Sequence, residues 1–77
     1  MTIELSIPAL GAGMSEGKLV QWHVADGETV AAGQIVYTLE SEKTAQDIEA
    51  PAAGTLKRIG EEGEIYPVGA AIGRIES

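Results

Sequence analysis

The run Glu40-Ser41-Glu42-Lys43-Thr44-Ala45 places one lysine among carboxylates. A primary amine in that setting has two ordinary uses. It can be a solubilising residue paired with Glu40, Glu42, Asp47 or Glu49, or it can be a platform amine that another enzyme acylates. A surface ion pair contributes about 0–1 kcal/mol, which gives no reason for a tight turn to present this particular side chain. The neighbouring carboxylates favour the charged ammonium, and nothing in the sequence buries it. Lys43 is therefore not expected to act as a nucleophile by its own means, and an activated acyl donor with a modifying enzyme must supply the chemistry.

The other candidates for chemistry are sparse. His23 is the only histidine and there is no cysteine, so neither a metal cluster nor a Cys-His pair can be assembled. Its expected place is the solvent face of a strand. Trp22 is expected in the core on the same face as Val20 and Val24. Ser6, Ser15, Ser41 and Ser77 have no base to activate them, and Glu61-Glu62 and Glu40/Glu42 are accounted for by solvated turns. The glycines match neither a Walker A loop nor a dinucleotide fingerprint. An enzyme activity intrinsic to the chain is not expected.

The chain as a whole narrows the field further. Its 77 residues make one small domain, expected to span 1–77, and the absence of cysteine removes disulfides as staples and fits a reducing compartment. Five basic against twelve acidic residues give a formal charge of -7, which argues against nucleic acid and anionic membranes as partners. No apolar run approaches the roughly 20 residues of a membrane span, and the N-terminus lacks a signal-peptide layout. The expected location is cytoplasmic, or the mitochondrial matrix in a eukaryote. The end at Ile75-Glu76-Ser77, with no linker, reads as that of an excised domain.

Short strands must position the lysine. Ile3, Leu5 and Ile7 alternate with polar residues until Pro8, which cannot donate to a ladder. Gly11 to Gly17 reads as a loop. Val20, Trp22 and Val24 alternate up to the turn Ala25-Asp26-Gly27, and Ile35, Tyr37 and Leu39 alternate up to the Lys43 turn. Ala45 to Ala50, Leu56 to Ile59 and Ala71 to Ile75 complete the strands that can be read one by one. Glu28 to Gln34 is the best helical stretch, but Gly33 interrupts it and it lacks an apolar stripe. The chain is expected to be all-β.

Comparison of the chain with itself shows a repeat. At an offset of 36, Gly27-Glu28 falls on Gly63-Glu64, Gly33 on Gly69, Leu39 on Ile75 and Glu40-Ser41 on Glu76-Ser77. At 43, Leu5 falls on Ile48, Pro8-Ala9 on Pro51-Ala52 and Gly11 on Gly54; at 37, Gly17 falls on Gly54 and Leu19 on Leu56. The change of offset assigns about seven extra residues to the first half, most of them in the loop from Gly11 to Gly17. Two such halves, each of about four strands, should pack on one another about a pseudo-two-fold axis. The Lys43 turn joins them, and its counterpart is the gap between residues 77 and 1. The turn and the chain ends are thus expected at opposite poles.

The chain resembles the lipoyl domains of the biotinyl/lipoyl attachment family, found in acyltransferase components of 2-oxo acid dehydrogenase complexes such as pyruvate dehydrogenase. The residues that carry the resemblance are Pro8-Ala9-Leu10-Gly11, Met14-Ser15-Glu16-Gly17, Trp22 with Val24, Gly27, Val30, Gly33, Glu40-Ser41-Glu42-Lys43, Glu49-Ala50-Pro51 with Gly54, and Gly69. The resemblance implies a flattened β-barrel or sandwich of two four-stranded antiparallel sheets, with the modified lysine in a hairpin. It implies lipoic acid in amide linkage on Lys43, Glu40 as a position by which the modifying enzyme chooses its target, and the loop of Gly11, Ala12, Gly13, Met14 and Ser15 as a surface recognised by a decarboxylase. The implied function is a swinging-arm carrier of acyl groups and reducing equivalents. The implied partners are a thiamine-diphosphate-dependent decarboxylase, an acyltransferase catalytic domain, a flavin dihydrolipoamide dehydrogenase, and a lipoate ligase or lipoyl transferase. The usual Glu-Thr-Asp-Lys-Ala is here Glu-Ser-Glu-Lys-Thr, so Glu42 and Thr44 are where partner choice is expected to depart from the family. A biotin carrier, whose lysine is typically flanked by methionines, and an unmodified interaction module are the alternatives.

Overall fold

The computed structural model describes residues 1–11, 13–42 and 44–77. Every regular element among them is a strand: β1 (Thr2–Ser6), β2 (Glu16–Trp22), β3 (Thr29–Val30), β4 (Ile35–Glu40), β5 (Ala45–Glu49), β6 (Gly54–Arg58), β7 (Ile65–Pro67) and β8 (Ala71–Glu76). They form two four-stranded sheets, β1-β8-β6-β3 and β5-β4-β2-β7, antiparallel at each pairing. The sheets stay separate, so the all-β expectation is met by a sandwich with open edges and not by a closed barrel. The two short strands β3 and β7 escape a reading by alternation because two or three residues carry no period.

The repeat is written into the backbone hydrogen bonds. Gly27 N–H donates to Leu56 O at 2.8 Å while Gly63 N–H donates to Leu19 O at 2.7 Å, and Leu56 N–H to Glu28 O (2.8 Å) is matched by Leu19 N–H to Glu64 O (2.9 Å). Gly33 N–H to Ala50 O and Gly69 N–H to Ile7 O are both 2.9 Å. These four glycines have φ of 86° or 92°, and a Cβ at any of them would meet nothing within 4 Å, so it is the left-handed backbone of the turn that calls for glycine. The halves do not form one sheet each, however. Each sheet takes two strands from the first four and two from the last four, so the halves interleave instead of stacking.

The core follows the same symmetry. Leu19 and Leu56, Leu39 and Ile75, and Val36 and Ile72 are buried counterparts. Val36 is the unpaired residue of a bulge between Ile35 and Tyr37, and Ile72 occupies the equivalent bulge opposite Leu5 and Ser6. A bulge advances the pleat by one residue, and so Val36 and Tyr37 are both buried although strict alternation puts only one of them inside. A third bulge corrects the expectation for Val20. Leu19 pairs with Leu39 and Gln21 with Thr38, which leaves Val20 unpaired and 37% exposed while Leu19 and Trp22 point inward. Glu16 and Gly17, read as loop, already belong to β2.

Large and small residues alternate across the pseudo-axis. Tyr37 corresponds to Gly73 by the repeat, and Trp22 lies over that glycine, where an added Cβ would be 3.2 Å from the indole and 2.9 Å from Lys57 O. Trp22 meets Tyr37 at 5.5 Å between ring centroids, and its Nε1–H donates to Gly60 O at 3.0 Å. The indole is thus satisfied inside the core, as its sequence context suggested. Burial pushes the Tyr37 phenol up to about 12, because the phenolate loses its hydration there.

Candidate functional site

The hairpin of β4 and β5 keeps regular register from Tyr37↔Ile48 through Glu40↔Ala45. It is closed by Ser41 N–H donating to Thr44 O at 2.7 Å, reinforced by the Ser41 hydroxyl to the same oxygen at 3.3 Å. Lys43 itself, and Ala12 of the extra loop, lie outside the described residues.

β1 determines which end of the sandwich this is. It starts beside the chain ends, where Thr2 pairs with Glu76. It then leads through Ile7, whose O accepts from Gly69 N–H, to Leu10 and the extra loop. That loop is tied down at both sides. Leu10 N–H donates to Met14 Sδ at 3.0 Å, Met14 N–H to Gly11 O at 3.3 Å, and Val68 N–H to Ser15 O at 3.0 Å. Half-buried Met14 and the core residue Leu39 fill the space over Gly17, where a Cβ would lie 2.9 Å from Met14 Cε and 2.8 Å from Leu39 Cδ1. The hairpin and the chain ends accordingly occupy opposite ends of β1, as the repeat required.

Loop and hairpin enclose an open groove of about 680 Å³. The loop contributes Gly11, Gly13, Met14 and Ser15; the hairpin contributes Glu40, Ser41, Glu42 and Thr44. Every described residue singled out from the sequence for recognition therefore reaches one surface. Lys18 and Ile65 line it as well and were not singled out. Both lie in one row across the sheet, since Glu40 pairs with Lys18 and Lys18 with Ile65. The alternation of Lys18 with Leu19 marks it as outward-facing, but Ile65 sits in a strand too short to carry any such sign.

Among the described residues the groove holds carboxylates, hydroxyls, one ammonium and apolar side chains, and no hydroxyl among them is hydrogen-bonded to a base. His23 lies elsewhere, on the exposed face. Its Nε2 is 2.6 Å from Thr38 Oγ1, and Thr38 in turn donates to Asp47 Oδ1 at 2.8 Å. Because the threonine proton is committed to Asp47, Nε2 is the protonated nitrogen of His23. This chain fastens the base of the hairpin to the end of β2. Among the described residues no group of three or more His, Asp or Glu side chains is placed to hold a metal ion, and no helix is long and apolar enough to cross a membrane.

A family model described as "Biotin-requiring enzyme" matches residues 3–75. Component 4 of the dihydrolipoyllysine-residue acetyltransferases of the chloroplastic pyruvate dehydrogenase complex of Arabidopsis thaliana is 46% identical over 91% of this chain and 15% of its own length. Component 5 from the same plant is 41% identical over 90% of the chain and 15% of its own length. The corresponding acetyltransferase component from Staphylococcus aureus is 31% identical over all of this chain and 18% of its own length. The chain thus spans less than a fifth of these relatives.

Proposed function

From the premise that this chain belongs to the biotin- and lipoyl-attachment family, as the match over residues 3–75 shows, we propose that it is a lipoyl carrier domain of a 2-oxo acid dehydrogenase complex, modified on Lys43. The observation that carries the reading is the hairpin closed at Ser41 and Thr44, at the pole away from the chain ends, in a chain whose relatives are named for a dihydrolipoyl-lysine. Residues 1–77 form one carrier domain, and the domain has no catalysis of its own.

The residues present fit an amide-linked apolar arm. Glu42 and Thr44, on either side of position 43, both line the groove, as do Met14 and Ile65. When bound, lipoic acid supplies a dithiolane able to take up an acyl group together with two electrons. The protein's own contribution is mechanical and electrostatic. The closed hairpin fixes where the arm leaves the chain, and attachment of the opposite pole to a larger assembly raises the arm's effective concentration at each active site it visits. Glu40 is exposed at the last pair of the hairpin and is offered to the modifying enzyme, while Glu42, Thr44 and the loop of residues 11–15 are offered to a thiamine-diphosphate-dependent decarboxylase. The other partners are the acyltransferase catalytic domain, a flavin dihydrolipoamide dehydrogenase, and a lipoate ligase or lipoyl transferase. The location we propose is the cytoplasm, or in a eukaryote the mitochondrial matrix; the chloroplastic relatives add an organelle outside that pair.

The family description also names biotin, so the test separates the two groups. Intact mass is measured after co-expression with a lipoate ligase and, separately, with a biotin ligase. A lipoyl increment that disappears in Lys43→Arg is the expected result. A biotin increment would replace this reading with a biotin carrier, and no increment in either case would overturn both.

A further inference from the structure

Sulfur is scarce in this chain, which has no cysteine and two methionines. Met1 is 93% exposed beside the chain ends, and Met14 is half-buried in the extra loop. Met14 does two things that a hydrocarbon side chain could not do together. Its Sδ accepts the Leu10 N–H at 3.0 Å, which would otherwise carry the desolvation penalty of an amide without an acceptor. Its methyl packs over Gly17, 2.9 Å from where a Cβ would stand, beside the core residue Leu39. Among the described residues, the other backbone ties of the loop are Met14 N–H to Gly11 O at 3.3 Å and Val68 N–H to Ser15 O at 3.0 Å. Elsewhere the loop is loosely covered, since a Cβ on Gly11 or Gly13 would meet nothing within 4 Å. One sulfur atom thus latches the loop to the sandwich, and its residue lines the solvent-open groove. The opposite pole has no such part, because backbone and Ile75 fill the space over Gly54.

We propose that Met14 is a reversible oxidation site, and that conversion of its thioether to the sulfoxide by hydrogen peroxide unlatches the extra loop from the sandwich. A lone pair of Sδ attacks one peroxide oxygen, the O–O bond breaks and an S–O bond forms. The proton on the transferred oxygen joins the departing hydroxide as water, so sulfur is oxidised by two electrons and the peroxide is reduced by two. The product cannot sit as the thioether does. If the new oxygen takes the Leu10 N–H, the sulfur must retreat from that amide and carry its methyl away from Gly17. If the oxygen points into the groove instead, the sulfur it leaves behind is electron-poor and no longer suits the N–H. In both cases Leu10 and Met14 part. The surface that the loop shares with the hairpin then has two forms, set by the oxidation state of one atom. The proposal stands apart from the carrier reading, since it needs no group on Lys43.

The test exposes the chain to hydrogen peroxide and follows both methionines by peptide mass, with Met1 as the exposed control. Amide hydrogen exchange is then read by NMR. The expected result is one added oxygen on each methionine, with exchange at the Leu10, Met14 and Val68 amides about tenfold faster, the equivalent of one net hydrogen bond. The turn amides of Gly27 and Gly63 should be unchanged, and methionine sulfoxide reductases should restore the original rates. In Met14→Leu the Leu10 amide should already exchange faster, and peroxide should add nothing. Should that variant fail to fold, the reductase reversal on the native chain makes the same comparison. Complete oxidation of Met1 with Met14 untouched overturns the site. Oxygen on Met14 with the three amides unchanged overturns the latch. Acceleration that reaches Gly27 and Gly63, or that outlasts the reductases, overturns it too, in favour of general damage to the core.

Discussion

The hairpin pole and the chain-end pole close in the same way and differ in what covers them. Ser41 N–H to Thr44 O at 2.7 Å has its counterpart in Ser77 N–H to Met1 O at 2.9 Å, and even the serine hydroxyls repeat, at 3.3 and 3.2 Å. Beneath these closures lie equivalent glycines in unlike surroundings. A Cβ on Gly54 would be 2.7 Å from both Glu76 O and Ile75 Cγ2, whereas one on Gly17 would meet only the side-chain atoms of Leu39 and Met14. The chain-end pole is sealed by backbone. The hairpin pole is sealed by the movable side chain of an inserted loop, which leaves room for a groove. Symmetry supplies the scaffold, and the departure from symmetry supplies the site.

Substitutions at paired positions test how far that equivalence extends. The largest losses should come from Leu39→Ala and Ile75→Ala, buried counterparts whose truncation should each cost about 2–5 kcal/mol by urea denaturation. If the halves are equivalent the two costs should agree within about 1 kcal/mol. Alkali should reveal an asymmetry next, because Tyr37 has Gly73 as its counterpart. Its phenol is raised from 10.0 to about 12 when folded. That contribution is fully present below pH 10 and is lost as pH rises toward 12, reaching about 2.7 kcal/mol for two units. Tyr37→Phe should flatten the stability profile over that window, and an unchanged profile would refute the assignment.

Smaller effects bear on the poles themselves. Gly54→Ala should cost about 1–3 kcal/mol, because the clash is with backbone, and Gly17→Ala should cost less. Met14→Ala should relieve part of the Gly17→Ala penalty in a double-mutant cycle, while having no such effect on Gly54→Ala. The weakest test is removal of the exposed serine hydroxyls. Ser41→Ala and Ser77→Ala should each change stability by less than about 0.5 kcal/mol, since the backbone bond beneath them remains.

Much of this arrangement was legible in the sequence, and the unreadable parts share a cause. Strand identity, the turn glycines and the doubled plan could be read because period-two alternation and positive-φ glycines leave local marks. The gathering of Gly11, Gly13, Met14, Ser15, Glu40, Glu42 and Thr44 around one groove could be anticipated from the offset change together with the family resemblance. Val20 was misplaced because a bulge shifts the pleat without any signature in composition. Ile65 was overlooked because its importance depends on a cross-strand neighbour, Lys18, far away in the chain. Interleaving was likewise hidden, since a repeat states which residues correspond and not which strands pair.

That interleaving bears on origin and assembly. Replacing each strand of the second half by its first-half counterpart turns the two sheets into copies of one pattern, each with both edge strands from one chain and both central strands from the other. A chain half this length could complete neither sheet alone, but two such chains could complete both by mutual exchange. The fold is in effect a strand-swapped homodimer whose subunits have been joined, and the lysine-bearing hairpin is the joint.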